Sequence, residues 1–229
     1  VTNSDNLKLT ALGGSFGDSL TGGSGADILT GNGGNDTLLG AAGNDVITGG
    51  DGIDSITGGA GVDTIVFSAG ATNGSDAISG WTTTSDKLDF DSVMTGVTDV
   101  VATTGIATTA GEGDFVDNEV YVLADGDTAS AGAGTSTITT YTTLSEVATF
   151  LSELADDNDT TGSNDTVDGD EAIYVINDLG NDLTYVYHFV EDGTLTDAST
   201  EAVYSAAELT LIGTITEAGG AAVVAADII

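Results

Sequence analysis

The chain has no cysteine and no proline, and among its 229 residues it has only two Lys or Arg, one His, one Trp and one Met. Each shortage closes a class of function. Without Cys there are no disulfides, thiolate nucleophiles, zinc knuckles or iron–sulfur clusters. Two lysines cannot make the basic surface that DNA or RNA phosphates require, and an anionic membrane would repel the chain. One histidine leaves little acid–base chemistry near neutral pH. No apolar run reaches the length of about 18 residues that a membrane span needs. The start, Val1-Thr2-Asn3-Ser4-Asp5, has no initiator Met, basic stretch or apolar run. A removed signal, a fragment or an export signal elsewhere would each account for that.

What is present is acid. The 37 Asp and Glu residues give a net charge of −35. A hydrophobic fraction of 40% is too high for a disordered acidic tail. The length suits one or two domains with a sizeable core. Folding must therefore gather a large excess of negative charge, and self-repulsion opposes this unless cations bind.

A repeat organises the N-terminal third. From Gly13, six nine-residue units run unbroken to Val66: GGSFGDSLT, GGSGADILT, GNGGNDTLL, GAAGNDVIT, GGDGIDSIT and GGAGVDTIV. Each has Gly first, Asp sixth and an aliphatic residue eighth. The acids are Asp18, Asp27, Asp36, Asp45, Asp54 and Asp63; the aliphatics are Leu20, Leu29, Leu38, Ile47, Ile56 and Ile65. Glycines at positions one, two and four permit positive φ and close backbone approach, so six residues can wrap an ion. The last three form a short strand whose eighth position points inward. In the calcium-binding β-helix repeat that this nonapeptide resembles, two units make one coil, which implies that Asp18, Asp36 and Asp54 stack on one edge and Asp27, Asp45 and Asp63 on the other. At the roughly 4.8 Å spacing of parallel strands, two carboxylates repel by about 3 kcal/mol at an effective dielectric near 20. A Ca²⁺ between them reverses the sign. Carbonyls at the first and third positions complete an all-oxygen shell suited to a hard cation. These belong to Gly22, Ser24, Gly31, Gly33, Gly40, Ala42, Gly49, Asp51, Gly58 and Ala60. Several calcium ions are expected. A flexible Gly/Asp linker would not need an aliphatic residue at every eighth position.

The nonapeptide resembles the RTX repeat of secreted bacterial proteins. That resemblance implies a parallel β-roll with calcium on both edges. The chain departs from the pattern at Phe16 in a fourth position and at Asn32 and Ala41 in second positions, so the first unit is expected to bind weakly or to cap the roll. Residues 67–70, 74–81 and 85–90 resemble the segment that ends RTX rolls, with Trp81 in its aromatic slot. This implies Asp76, Asp86 and Asp89 as ligands of the last turns. The expected division is a lead-in strand or cap over 1–12, a roll with its cap over 13–90, and a C-terminal β-rich domain over 91–229.

In that last region apolar/polar alternation replaces the nonapeptide. Residues 117–123, 172–177, 183–190 and 208–213 read as strands, with 172–190 a hairpin. Thr143 and Glu146 form a capping box before Leu144, Val147, Leu151 and Leu154 at helical spacing, which predicts a helix near 144–155. The fold class is all-β: a parallel calcium-bound roll, then a mostly antiparallel β domain with one short helix. Tyr187-His188-Phe189-Val190-Glu191-Asp192-Gly193 and Leu209-Thr210-Leu211-Ile212-Gly213 loosely resemble C-terminal regions of type I-secreted surface proteins. The small, apolar end, residues 221–229, is similar to the uncleaved ends of such substrates. Asp157, Asp159, Thr161, Gly162, Asp165 and Asp168 fit an EF-hand loop, although the twelfth position is Asp and a strand follows; a solvated acidic loop is the alternative.

Catalytic signals are weak. Gly13-Gly14-Ser15-Phe16-Gly17 matches a hydrolase string but lies inside the repeats. His188 sits in a strand between aromatics, and no H-E-x-x-H occurs. The expected function is a non-catalytic, calcium-binding structural module of a secreted bacterial cell-surface protein of S-layer type. It would be exported by a type I system, fold on meeting calcium outside the cell, and associate with itself or with other surface components. The alternatives are an adhesin or ligand-binding module, or the C-terminal secretion module of an extracellular protease or lipase.

Overall fold

A computed structural model describes residues 7–68, 74–82, 85–94, 99–102, 119–123, 128–129, 136–137, 144–155, 171–178, 181–190, 206–207, 209–217 and 222–229. The strands are β1 (Thr10–Leu12), β2 (Ser19–Thr21), β3 (Ile28–Gly33), β4 (Thr37–Ala42), β5 (Val46–Asp51), β6 (Ser55–Ala60), β7 (Thr64–Val66), β8 (Asp76–Trp81), β9 (Lys87–Asp89), β10 (Asp99–Ala102), β11 (Glu119–Leu123), β12 (Thr128–Ala129), β13 (Ser136–Thr137), β14 (Glu171–Asp178), β15 (Leu183–Val190) and β16 (Leu209–Glu217). One helix, α1 (Leu144–Ala155), and one turn of 3₁₀ helix, Ala225–Asp227, complete the described elements. No described helix is long and apolar enough to cross a membrane.

The nonapeptides wind into a roll because successive units alternate between two sheets. Strands β1, β3, β5, β7 and β9 form a five-stranded, wholly parallel sheet. Strands β2, β4, β6 and β8 form its parallel counterpart. Eighth-position residues meet in register, Leu29 on Ile47 on Ile65 in one sheet and Leu20 on Leu38 on Ile56 in the other. All six are buried and fill the space between the sheets. The ladder extends upstream: Ala11 pairs with Leu29 and is buried, so residues 7–12 follow the nine-residue register with Leu9 where an Asp would stand.

The inner strands β3 to β6 have six residues each, longer than the three expected. The turns stack as closely as the strands, so the main-chain ladder continues through them, as in the pairing of Asn32 with Gly50. Within these turns the second position is left-handed: φ is 73° at Asn32, 83° at Ala41, 107° at Gly50 and 115° at Gly59. The two departures from glycine thus adopt the glycine conformation. Asn32 tolerates it and donates from Nδ2 to the Gly13 carbonyl at 2.8 Å. Ala41 has no such compensation.

Beyond Val66 the roll is closed by Trp81 and by Phe67 stacked on Phe90 with ring centroids 5.0 Å apart. Strand β8 also pairs in parallel with β16, so one nine-stranded sheet, β10-β11-β14-β15-β16-β8-β6-β4-β2, runs from the roll through the C-terminal region. Antiparallel pairing within it is confined to β14–β15–β16; β10 and β11 join in parallel. A parallel neighbour needs a crossover connection, and the 47 residues between β11 and β14 leave room for one that carries α1. Alternate residues divide the sheet's faces. Val120, Val122, Ile173, Val175, Val186 and Ile215 continue the roll core, while Tyr121, Tyr174, Ile176, Tyr185 and Tyr187 pack under Val147, Ala148 and Leu151 of α1. The helix lies where the periodicity predicts; Thr143 of the capping box lies outside the described residues.

The C-terminal tail is part of this packing. Ile228 bridges to Leu88 in parallel, and the Ile229 amide donates to the Leu88 carbonyl. Lys87 Nζ donates to the Ala226 carbonyl at 2.8 Å and faces Asp227 at 3.5 Å. Buried Asn177 holds Val223 by both its amide and its carbonyl. Strand β16 is enclosed by β15 and β8 of the same chain and presents no free edge there.

Ala41→Gly should stabilise the calcium-loaded roll by about 1 kcal/mol, because a left-handed Ala is strained, whereas Asn32→Gly should give no gain. Urea midpoints in saturating calcium, read by Trp81 emission, check this; equal effects at the two positions would refute it.

Candidate metal centre

Carboxylates from alternate units form two ladders along the roll's edges. On one, Asp36 Oδ1 accepts the Asp18 amide, Asp54 Oδ1 the Asp36 amide, and Asp76 Oδ1 the Asp54 amide, at 2.6, 2.8 and 3.0 Å. On the other, Asp27 Oδ1 accepts the Leu9 amide, Asp45 Oδ1 the Asp27 amide, Asp63 Oδ1 the Asp45 amide, and Asp86 Oδ1 the Asp63 amide. The stacking by edge read from the repeat is what the chain adopts. Each amide pins one carboxylate oxygen to the turn before it and leaves the second oxygen to be satisfied elsewhere.

In four turns nothing satisfies it. Oδ2 of Asp36, Asp45, Asp54 and Asp63 is buried with no hydrogen-bond partner, and the four side chains are at most 2% exposed. Unpaired buried carboxylate oxygens are costly and demand a counter-charge. Lys87 is committed to Asp227 and Ala226 and lowers the pKa of Asp86, at the end of one ladder. The turn geometry shows where the charge belongs. A Cβ on Gly40 would lie 2.5 Å from Asp45 Oδ2 and 2.6 Å from the Gly58 carbonyl oxygen, and the same convergence recurs at Gly22 and Gly31. First-position glycines are thus required because carboxylate and carbonyl oxygens of successive coils point into one small space. Those donors are all hard oxygens, which fits calcium. No group of three Asp, Glu, His or Cys side chains capable of holding a metal occurs among the described residues. None is expected where each turn supplies one carboxylate and the main chain the rest.

The other candidates fall as follows. First-position carbonyls of Gly31, Gly40, Gly49 and Gly58 face these spaces. Third-position carbonyls of Asp51 and Ala60 accept the amides of Gly34 and Gly43, which leaves each a second lone pair. Among the further backbone pairings, Gly22 donates to the Leu39 carbonyl, Gly33 to Gly14 and Ala42 to Gly23. Ser24 lies in the turn before β3. Asp76 and Asp86 terminate the ladders, one on each edge. Asp89 turns instead to the Asp91 amide at 3.0 Å and stays off them. Asp157, Asp159, Asp165 and Asp168 lie outside the described residues. His188, the single histidine, stands 3.7 Å from Glu171 on a strand remote in sequence from both ladders. Sequence reading missed the approach of Asp227 to Asp86, which nothing local in residues 221–229 announces.

Burial and neighbouring carboxylates raise five acids of the ladders, Asp45, Asp54, Asp63, Asp76 and Asp86. Desolvation dominates at each: it lifts Asp63 to about 6 and Asp76 to about 7, and raises Asp45, Asp54 and Asp86 as well. The amide donated to each carboxylate opposes the shift, and the carboxylate of the adjoining coil adds to it at Asp45, Asp54, Asp63 and Asp76.

Residues 12–47 and 39–73 match the family model of the RTX calcium-binding nonapeptide repeat. No curated protein matches the chain. Similar solved structures include two subunits of the Azotobacter vinelandii mannuronan C5-epimerase. The solution structure of AlgE6R3 is 19% identical with a TM-score of 0.44, over 95% of this chain and 80% of that one. The solution structure of AlgE6R2 is 19% identical with a TM-score of 0.43, over 99% and 94%.

The raised carboxyls fix the pH response of the metal-free protein. Unfolded, these groups titrate near the ordinary 3.8; folded, they hold their protons up to about 6 at Asp63 and about 7 at Asp76. The folded state therefore binds more protons than the unfolded state between those limits, and its stability falls as pH rises through the window. In chelator, acidification from pH 7.5 to 5 should shift the chain toward the folded roll, seen as a gain of β signal. In calcium the same acidification should lower the urea midpoint, since protons compete for the ligands. A β signal in chelator that falls on acidification would contradict the ladder.

Proposed function

We propose that this chain, whose residues 12–73 are RTX calcium-binding nonapeptide repeats, is a non-catalytic structural module of a secreted bacterial cell-surface protein, of S-layer type, that folds when it meets calcium. The observation that carries this reading is the set of four buried carboxylate oxygens without a partner at Asp36, Asp45, Asp54 and Asp63. Calcium that binds the folded roll and not the unfolded chain stabilises it by mass action, so the fold follows the surrounding calcium concentration. Where calcium is scarce, carboxylate repulsion keeps the repeats open, a form suited to passage through a narrow type I exporter. At the millimolar calcium of an extracellular setting the same repeats close. The absence of cysteine and the scarcity of lysine suit an exposed structural protein that works by shape and cohesion. Self-association or attachment to other surface components is the role assigned to the assembled module. Export through the C-terminal end is compatible with the packing of Val223 and Ile228, because that packing forms only once the chain folds.

Far-ultraviolet circular dichroism and Trp81 emission, with calcium or with excess chelator at pH 7.5, test this. The β signal and the buried-Trp emission should appear only with calcium, and Asp54→Ala should raise the calcium needed for half-folding. A full β signal in chelator would overturn the reading.

A further inference from the structure

The six repeat turns are not alike, and the difference follows the state of one peptide group. In units three to six the second residue is left-handed, at Asn32, Ala41, Gly50 and Gly59, and Oδ2 of the unit's Asp has no partner. In units one and two, Gly14 and Gly23 are not left-handed. Their amides point into the turn and close it: Gly14 donates to Asp18 Oδ2 and Gly23 to Asp27 Oδ2, each at 2.6 Å. The far end repeats this, where the Thr82 amide donates to Asp86 Oδ2 at 2.7 Å. Turns inside the array are open, and the end turns of Asp18, Asp27 and Asp86 are shut by their own backbone.

We infer that the array holds two classes of calcium site: tight ones at the open turns of Asp36, Asp45, Asp54 and Asp63, and weaker ones at the shut turns of Asp18, Asp27 and Asp86, which load only after a local amide gives up its carboxylate. The inference rests on the reading of the repeats as calcium sites. Its cause is positional. No nonapeptide Asp stands above Asp18, and the residue above Asp27 is Leu9, which supplies an amide and no carboxylate. At Gly13 and Gly22 the carboxylate and a carbonyl of the following coil still converge, but no carboxylate of a preceding coil joins them; at Asp86 it is the following nonapeptide that is lacking. With one neighbouring coil short, the amide wins the carboxylate. Loading an end turn gives up a charge-assisted hydrogen bond, which separates the two classes by roughly tenfold or more in calcium concentration. The roll then forms at low calcium, and its ends set at a higher level.

Glycine at position 14 makes the rotation free of the strain that Ala41 carries, and this supplies the test. In the shut turn a Cβ at Gly14 meets nothing closer than Asp18 Oδ2 at 3.6 Å, so Ala fits there. In an open turn the same Ala would need positive φ. Calcium binding to the full chain is measured by titration calorimetry with equilibrium dialysis, for the wild type, Gly14→Ala and Asp18→Asn. The wild type should bind in two phases at least about tenfold apart. Both variants should lose part of the weak phase and keep the tight phase and the calcium-induced β signal. A single phase in the wild type, or a loss from the tight phase in both variants, would overturn the two classes while leaving calcium binding intact. Absence of any calcium binding would overturn the reading of the repeats itself.

Discussion

The structure depends on placing like charges one coil apart and burying them. In each ladder a carboxylate takes one amide from the coil before it, which holds it in place, and turns its other oxygen inward, where in the middle of the roll only a cation can meet it. Everything else about the repeat follows from that arrangement. The first position must be glycine because the carboxylate and a carbonyl of the next coil occupy the space of a side chain. The second must reach a left-handed conformation to turn its amide away from the carboxylate. The eighth must be aliphatic because the two sheets have only its side chain to fill the gap between them.

The core explains why the roll needs its ends. Each coil buries one aliphatic side chain per sheet, a thin core for so much charge. Such a stack holds only if its last layer is covered. Downstream, Phe67, Trp81, Phe90 and Met94 enlarge the core, β16 joins β8, and Ile228 joins Leu88. Asp76 lies at the junction: its Oδ1 takes the Asp54 amide of the roll, and its own carbonyl accepts the Thr214 hydroxyl of β16 at 3.3 Å. The final rung of one ladder is thus also a contact of the C-terminal sheet, and order in the two regions is mechanically linked.

The roll was legible because its information is local and repeated. A period of nine with Gly, Asp and an aliphatic at set places specifies coil, core and ladder together, and Ala11 and Leu9 extend that register once the pairing is seen. The C-terminal region had only alternation to offer, which predicts the strands of 183–190 and their hairpin partner but not their neighbours. That β16 lies between β15 and β8, or that β11 runs parallel to β14, depends on contacts distant in sequence, which no pattern within a strand encodes. Backbone state was equally hidden. Gly14 and Gly50 are the same residue at the same repeat position, yet one closes its turn and the other opens it. Context along the roll, and not residue type, decides between them.

That last point bears on how such an array is tuned. If residue type set each turn, weak sites would show as substitutions, and the departures at Asn32 and Ala41 would mark them. Instead both lie in open turns with unpartnered carboxylates at Asp36 and Asp45, while units one and two keep both opening glycines and are shut. Binding strength is therefore set by what stacks above and below each turn. Lengthening the roll by further coils would convert its first turns from ends to interior and open them, with no change in their own residues. The affinity of a turn for calcium is a property of its neighbours, which makes the length of the roll itself the variable that sets how many carboxylates wait for a cation.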